Sequence, residues 1–381
     1  MNPHPVPLVG LSGEELVSFA GSLGESPYRG RQLYRWIYRR GARSFAEMTD
    51  LARDFRNRLE REASLEGIRP AGLDRSADGT LKFLFELPDG ARVESVLIPA
   101  SAAFPGSAPR GAEERTRRTA CVSTQAGCPL DCAFCATARI GFRRNLTAGE
   151  IVDQVRHLSH AGTVSNVVFM GMGEPLMNYG PSLQAADILA SGVGIASRRI
   201  TISTAGWADG IRRLADERRP VNLAVSLHSV DQATRERLMP VARRFPLSEL
   251  LASVAYYYRV LRRRITYEMI FFEGLNDGDR DAEQLVRFAR RVPCKINVIS
   301  FHPVGFAGPS PRGADLRPSP RMEEIVDHLR TRGLTVFVRG SAGRDIRAAC
   351  GQLALAGTPP SGGAKDPHAP FLPPQETRVC G

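Results

Sequence analysis

The chain has 381 residues, of which 43% are hydrophobic, with a formal net charge of +11 and a pI of about 9.7. This length and apolar content predict one large α/β domain with a smaller module, and they exclude a disordered or fibrous protein. No apolar run is long enough to cross a membrane and Met1 to Gly10 lack a secretory pattern, so we expect a cytoplasmic protein. Because arginine supplies nearly all the positive charge, a polyanionic partner is favoured, nucleic acid first.

The first part of the chain predicts a small accessory module over residues 1–99. Residues 11–66 have a helical pattern, with Leu33, Trp36 and Ile37 at core spacing among several arginines. These arginines fit either a basic, RNA-binding surface or an ordinary solvated helix face. Residues 81–87 and 91–98 alternate apolar and polar side chains around a Pro-Asp-Gly turn, which predicts a β-hairpin.

The remainder predicts an α/β core between two irregular segments. Residues 100–118 are rich in Pro, Gly, Ala, Arg and Glu, which indicates an exposed insertion or linker, and residues 356–381 are expected to be a disordered tail. Between them, over 119–355, β-rich runs alternate with helical patterns, which predicts parallel βα units and a partial (βα)6 TIM-like barrel. The six expected strands are 120–123, 166–170, 199–203, 221–226, 266–272 and 295–300. Thr147 to Glu150 form a capping box that begins the first core helix.

Three cysteines directly after the first core strand indicate a metal site. Cys128, Cys132 and Cys135 fall within eight residues, where one loop can direct all three thiols to a common centre. Structural zinc takes four closed ligands, and no neighbouring Cys or His completes such a set. Cubane iron–sulfur clusters normally take four thiolates, so three thiolates leave one iron open. This three-then-two spacing resembles the signature of the radical S-adenosylmethionine (SAM) superfamily, in which SAM chelates the open iron.

Further motifs narrow the resemblance to one family. Pro27-Tyr28-Arg29, Gln125-Ala126-Gly127, the segment 171–175 (Gly-Met-Gly-Glu-Pro) and the segment 345–353 around Cys350 are similar to RlmN and its Cfr relatives. The resemblance implies a radical SAM barrel with an N-terminal RNA-binding module and a [4Fe-4S] cluster on Cys128, Cys132 and Cys135. It also implies a set of SAM contacts, namely Gly173, Glu174, Ser203, Ser226, Leu227, His228 and His302. His302 stands where family members usually have Asn, which puts its contact with SAM in doubt.

The resemblance also implies the reaction, methylation of C2 of an adenine in 23S rRNA at the peptidyl-transferase centre, with tRNA as a second substrate. Adenine C2 is electron-poor, so the family uses a carbon radical and two SAM molecules per turnover. One SAM methylates the Cys350 thiolate, and a radical formed on that methyl group then joins the base. Cys121 releases the product by forming a disulfide with Cys350, and Glu94 moves the proton. A strand carboxylate that faces solvent is the other interpretation of Glu94, and Cys294 is expected to be structural.

Several alternatives stay open on the sequence alone. A Cfr-like enzyme would methylate adenine C8 with the same thiols and confer antibiotic resistance. A non-enzymatic iron–sulfur RNA-binding protein would need no methyl carrier, and a radical SAM activase acting on proteins would need no basic N-terminal module. For the preferred reading we expect a reductant such as a flavodoxin-type donor, no membrane partner, and a monomer.

Overall fold

The computed structural model describes residues 5–103, 117–303 and 316–355. The strands in chain order are β1 (Val6–Pro7), β2 (Ala63–Ser64), β3 (Arg69–Arg75), β4 (Leu81–Glu86), β5 (Arg92–Pro99), β6 (Arg118–Cys121), β7 (Gln125–Gly127), β8 (Phe142–Asn145), β9 (Val164–Phe169), β10 (Ile200–Thr204), β11 (Asn222–Ser226), β12 (Ile265–Met269), β13 (Cys294–Ile299) and β14 (Val336–Arg339). The α-helices are α1 (Gly13–Ser22), α2 (Pro27–Tyr34), α3 (Arg53–Glu62), α4 (Ala100–Ala103), α5 (Thr137–Ile140), α6 (Ala148–Ala161), α7 (Tyr179–Ile188), α8 (Ala208–Asp216), α9 (Gln232–Leu238), α10 (Val241–Arg244), α11 (Leu247–Leu261), α12 (Asp279–Ala289) and α13 (Met322–Thr331). Two π-helical segments, Arg35–Arg39 and Leu189–Val193, continue α2 and α7.

One ten-stranded sheet organises the described part of the chain, in the order β14-β13-β12-β11-β10-β9-β6-β5-β4-β3. Neighbours are parallel from β6 to β14 and antiparallel from β6 to β3. All six predicted core strands are present, and β14 adds a seventh that the sequence analysis missed. Arg339, which ends β14, donates to the sulfur of Met170 after β9 at 3.7 Å. The sheet is therefore strongly curved, in keeping with the α/β partial barrel that was expected.

The core lies between this sheet and the helices that cover it. All five residues of β12 are buried, as expected for a parallel strand covered on both faces. In α8, Ile211 and Leu214 are fully buried while Asp209 on the other face is exposed. The predicted capping box at the start of α6 is confirmed, because the Glu150 N–H donates to the Thr147 hydroxyl at 3.2 Å and the Glu150 carboxylate accepts from the Thr147 N–H.

The N-terminal region is partly as predicted. Helices α1, α2 and α3 lie within the expected helical stretch, and β4 and β5 form the expected hairpin. The hairpin has a third strand, β3, and β5 pairs with β6 of the core, so hairpin and core share one sheet. The division of the chain into domains stays a prediction. Most of the expected insertion (104–116) and the whole expected tail (356–381) lie outside the described residues.

No helix within the described ranges is both long and apolar enough to span a membrane.

Candidate active site

A cavity opens at the C-terminal ends of the parallel strands, as is usual for barrel folds. Most of the predicted site residues line it, namely Cys121, Cys128, Cys132, Cys135, Gly173, Glu174, Ser203, Ser226, His228 and Cys350. Leu227, Glu94 and His302 are not part of the lining. Residues separated by more than 200 positions in sequence therefore meet in one cavity.

The three-cysteine loop, residues 128–135, is held by its backbone and by one aromatic side chain. The Ala133 N–H donates to the carbonyl of Leu238, at the end of α9, at 2.9 Å. The Phe134 ring meets the His228 ring edge-on, with the centroids 4.6 Å apart. The loop is thus attached both to α9 and to the segment that follows β11.

The donor set fits an iron–sulfur cubane better than a single metal ion. All three thiols line the same cavity, and burial, with the neighbouring Cys135 and Cys128, raises the pKa of Cys132. Among the described residues, no three Cys, His, Asp or Glu converge tightly enough to hold one ion. A cubane needs no such convergence, since each thiolate binds a different iron. Three thiolates on one cavity wall fit a [4Fe-4S] cluster with an open iron.

Gly173 and Glu174 line the cavity beside the end of β10. Gly173 has a φ of +100°, and a Cβ there would lie 2.6 Å from the Cβ of Gln125, so the position requires glycine. The buried Glu174 carboxylate accepts from the N–H groups of Ala205 at 2.7 Å and Leu176 at 3.1 Å. Burial raises the pKa of Glu174 to about 7. An acceptor in this position suits a cationic amino group such as that of SAM.

Ser203, Ser226 and His228 add polar groups from the ends of two neighbouring strands. Both serines line the cavity. His228 has a φ of +53°, an unusual backbone conformation for a residue other than glycine, and its Nδ1 accepts from the Ile270 N–H at 3.2 Å. Burial lowers the pKa of His228 to about 3, and the charge of Arg235 adds to this effect. His228 is therefore a neutral imidazole, able to donate through its other nitrogen.

The two additional thiols meet at the same cavity. Cys121 ends β6 and is buried. Cys350 lines the cavity, where protein atoms surround it on several sides but solvent still reaches it. Burial raises the pKa of Cys121 to about 12, and the neighbouring Cys350 adds to this shift. Burial also raises the pKa of Cys350. The guanidinium of Arg339 lowers the pKa of both thiols, so one cation favours the thiolate form of each.

Glu94 lies behind the cavity and supports the Cys350 loop, residues 340–355. It is 2% exposed, so the interpretation of a solvent-facing carboxylate is wrong. Its Oε2 accepts from the N–H groups of Ala354 at 2.9 Å and Leu355 at 3.2 Å, and Oε1 lies 3.4 Å from Lys82 Nζ. Glu94 thus contacts the segment that follows Cys350.

His302 does not line the cavity itself but contacts a residue that does. Its Nε2 forms a short hydrogen bond with the hydroxyl of Ser341, which does line the cavity. Burial lowers the pKa of His302, and Arg344 contributes to the same shift. A neutral His302 can therefore orient Ser341.

Two charged residues in the cavity lining were missed by sequence reasoning. Arg339 ends β14, a strand of four residues whose brevity concealed it. Glu268 is 3% exposed, and its Oε1 accepts from Asn297 at 3.0 Å while Oε2 has no partner among the described residues. The one signal for Glu268 was a carboxylate inside an otherwise apolar strand, Ile265–Met269.

Aromatic and arginine side chains are exposed on the N-terminal helices and beside the cysteine loop. Tyr28 and Phe142 are 49% and 48% exposed, and Arg40 lies 4.1 Å from the centre of the Trp36 ring. Exposed aromatic rings can stack on unpaired bases, and arginine side chains can neutralise phosphates. This combination fits a single-stranded nucleic acid.

Comparison with known proteins agrees with this geometry. The profile of the Radical SAM superfamily matches residues 122–289, and that of the ribosomal RNA large subunit methyltransferase N-terminal domain matches residues 6–65. A radical SAM methyltransferase of known structure from Sphaerobacter thermophilus is 39% identical, with a TM-score of 0.81 over 92% of this chain and 99% of its own.

Two curated relatives extend the similarity along nearly the whole sequence. The dual-specificity RNA methyltransferase RlmN of Anaeromyxobacter dehalogenans is 43% identical over 92% of this chain and 92% of its own length. The protein of the same name from Desulfotalea psychrophila is 42% identical over 93% of this chain and 96% of its own. With the cysteine loop, both additional thiols and the N-terminal module in place, the chain belongs to the RlmN family of radical SAM RNA methyltransferases.

Proposed function

We propose that this enzyme methylates C2 of an adenine in 23S rRNA at the peptidyl-transferase centre, and an adenine in tRNA, through a methyl group carried on Cys350. The observation that carries the proposal is the presence of Cys121, Cys350 and the three cluster cysteines around one cavity. The relatives are named as dual-specificity RNA methyltransferases, which supports two RNA substrates. We further propose two SAM molecules per methylation, an external reductant such as a flavodoxin-type donor, and a monomeric enzyme.

In this proposal the bound cluster and SAM supply a carbon-centred radical, and the chain supplies everything else. Glu174, Ser203, Ser226 and His228 hold SAM against the strand ends, and His302 acts through Ser341. The Cys350 thiolate accepts a methyl group from SAM because a thiolate is a strong nucleophile, and Arg339 favours that ionised form.

Product release is assigned to the second thiol and to Glu94. Once the base is joined to Cys350 through the methylene carbon, a proton must leave the adduct, and Glu94 is the proposed acceptor. The Cys121 thiolate then attacks the Cys350 sulfur, so an S–S bond forms as the bond from that sulfur to the methylene carbon breaks. The electron pair of the broken bond takes up a proton to complete the methyl group, and the odd electron left by radical addition would return to the bound cluster. Reduction of the disulfide by two electrons restores both thiols, which are free in the structure.

The test is anaerobic reconstitution followed by mass spectrometry of nucleosides from a 23S rRNA fragment treated with methyl-labelled SAM and reductant. We expect labelled 2-methyladenosine from the wild-type chain. Cys350→Ala should lower the yield on the order of 10⁴-fold or more while the iron content stays normal. Cys121→Ala should accumulate a covalent protein–RNA complex. Formation of 8-methyladenosine, or an active Cys350→Ala variant, would contradict the proposal.

A further inference from the structure

A buried arginine lies beneath the three-cysteine loop. Arg235, in α9, is 1% exposed. Its Nη1 donates to the carbonyls of Ser226 at 2.9 Å and Leu227, and its Nη2 donates to the carbonyl of Ala205 at 2.7 Å. The guanidinium is therefore fixed at the C-terminal ends of two neighbouring strands, at the edge of the cavity.

The same helix touches the cysteine loop. The carbonyl of Leu238, the last residue of α9, accepts the N–H of Ala133, the residue next to Cys132. Cys132 packs against the apolar cluster that contains Leu238 and Met239, and Nη1 of Arg235 lies 3.5 Å from the Met239 sulfur, so the guanidinium lies next to the residues that contact Cys132.

The charge of Arg235 has no carboxylate counter-ion in the described part of the chain. Its hydrogen-bond acceptors are backbone carbonyls and the sulfur of Met239 at 3.5 Å, and its Nε has no partner there. An arginine side chain keeps its proton at neutral pH even when it is buried. An isolated buried charge is costly unless a nearby group of opposite sign compensates it. Three thiolates carrying an iron–sulfur cluster are such a group.

We propose that Arg235 is the counter-charge of the iron–sulfur cluster and raises its reduction potential. Reduction adds one negative charge to the cluster and its thiolates, so a fixed cation beside Cys132 stabilises the reduced form more than the oxidised form. Arg235 acts through the cluster ligands and is therefore a positioning residue. It also holds the backbone of Ser226 and Leu227, so the same side chain aligns the strand end that carries the proposed SAM contacts. The inference requires the cluster but not the proposed RNA substrate.

The experiment compares reconstituted full-length variants by redox titration monitored with electron paramagnetic resonance, without SAM and without RNA. Arg235→Met keeps an unbranched side chain and removes its charge. We expect the equilibrium constant for cluster reduction to fall about tenfold, which is about 59 mV for one electron. The control is Arg237→Met, which removes an exposed arginine from the same helix and should change the constant less than threefold.

A second variant separates charge from packing. Arg235→Lys keeps the charge but cannot reach all three carbonyls, so its constant should stay within threefold of wild type. If Arg235→Met binds no iron, the charge role requires that Arg235→Lys still binds it. A wild-type potential in an iron-loaded Arg235→Met protein would overturn the inference, and so would an equal defect in the Lys and Met variants. Failure to methylate RNA by any variant leaves these potentials measurable, so the two proposals can fail separately.

Discussion

The two loops that bring sulfur to the cavity are held by different sets of contacts. In the three-cysteine loop, Leu130, Cys132 and Phe134 pack against an apolar cluster that contains Phe272 and other buried side chains. The Cys350 loop also buries Ala348 and Leu353 in the main apolar core, but it adds charged and polar contacts from β4, β5 and the turn between β3 and β4. These contacts are Ser76 with Asp345 at 2.6 Å, Asp78 with the Gly343 N–H at 2.8 Å, Lys82 with the Ile346 carbonyl at 2.7 Å, and Glu94 with the Ala354 N–H at 2.9 Å.

The difference matches what each sulfur has to do. A cluster ligand must hold one geometry and exclude water, which apolar packing provides. In the proposed reaction the Cys350 sulfur accepts a methyl group, carries the base and meets Cys121, which would require a support that keeps the loop in position without filling the cavity. The antiparallel strands therefore do more than extend the sheet, because their side chains hold the Cys350 loop in position.

The largest expected effect is at Lys82, whose side chain is 6% exposed between Asp74 at 3.2 Å and Glu94 at 3.4 Å. Lys82→Met leaves a buried carboxylate without its cation and removes the bond to the Ile346 carbonyl, which should destabilise the protein by about 3 kcal/mol. Hydrogen exchange of the amides of Ala354 and Leu355 should accelerate, while the iron content stays normal.

Lys295→Met is the matched control, since it removes an exposed lysine from β13 and should change stability by less than about 0.5 kcal/mol. Iron loss in Lys82→Met without faster exchange in the Cys350 loop would show that the two loops are not supported independently.

The difference between the two loops also determines how much of the site could be predicted from the sequence. The three cysteines lie within eight residues, so their spacing alone predicts a metal site, and the resemblance singled out Cys121 and Cys350. The supports of the Cys350 loop could not be found this way. Lys82 and Ile346 are 264 positions apart, and nothing local to a lysine in a hairpin indicates such a partner.

The sequence analysis missed strand β3 and one buried arginine for related physical reasons. Strand β3 contains Pro70 and Gly72, is mostly exposed and has a bulge, so it lacks the alternation by which a strand is recognised. Arg235 was one arginine among many, and only the folded chain shows that it is buried while Arg237 is not.

A smaller effect is expected at Phe134, the aromatic anchor of the three-cysteine loop. Phe134→Ala removes the contacts with His228 and with Phe272, whose ring centroid lies 6.0 Å away. Because Phe134 is half-buried, the cost should be about 2 kcal/mol, less than for a core phenylalanine. Iron bound per chain should fall, with hydrogen exchange at Ala354 unchanged. Phe142→Ala, at an exposed phenylalanine, serves as the control, and full iron binding by Phe134→Ala would refute the apolar anchoring.

The smallest effect is the response of the Cys350 loop to acid. Hydrogen bonds from the Ser76 hydroxyl and the Ala77 N–H hold the pKa of Asp345 below its ordinary value of 3.8. Burial raises the pKa of Asp78, but hydrogen bonds from Gly343 and Thr80 outweigh it and the net shift is downward. A carboxyl whose pKa is lowered by folding stabilises the fold above its unfolded pKa and loses that contribution as the pH falls through the lowered value.

Protection of the Gly343 and Ala77 amides, corrected for intrinsic exchange, should therefore be constant above about pH 5 and decrease below pH 3.8. Asp345→Asn should weaken the protection of Ala77 already at neutral pH and reduce its dependence on acid. The amide of Ala133 in the three-cysteine loop, which donates to a backbone carbonyl and not to a carboxylate, should show no such decrease. An equal response of both loops to acid would mean that their difference in anchoring has no energetic consequence, because only carboxylate contacts titrate in this range.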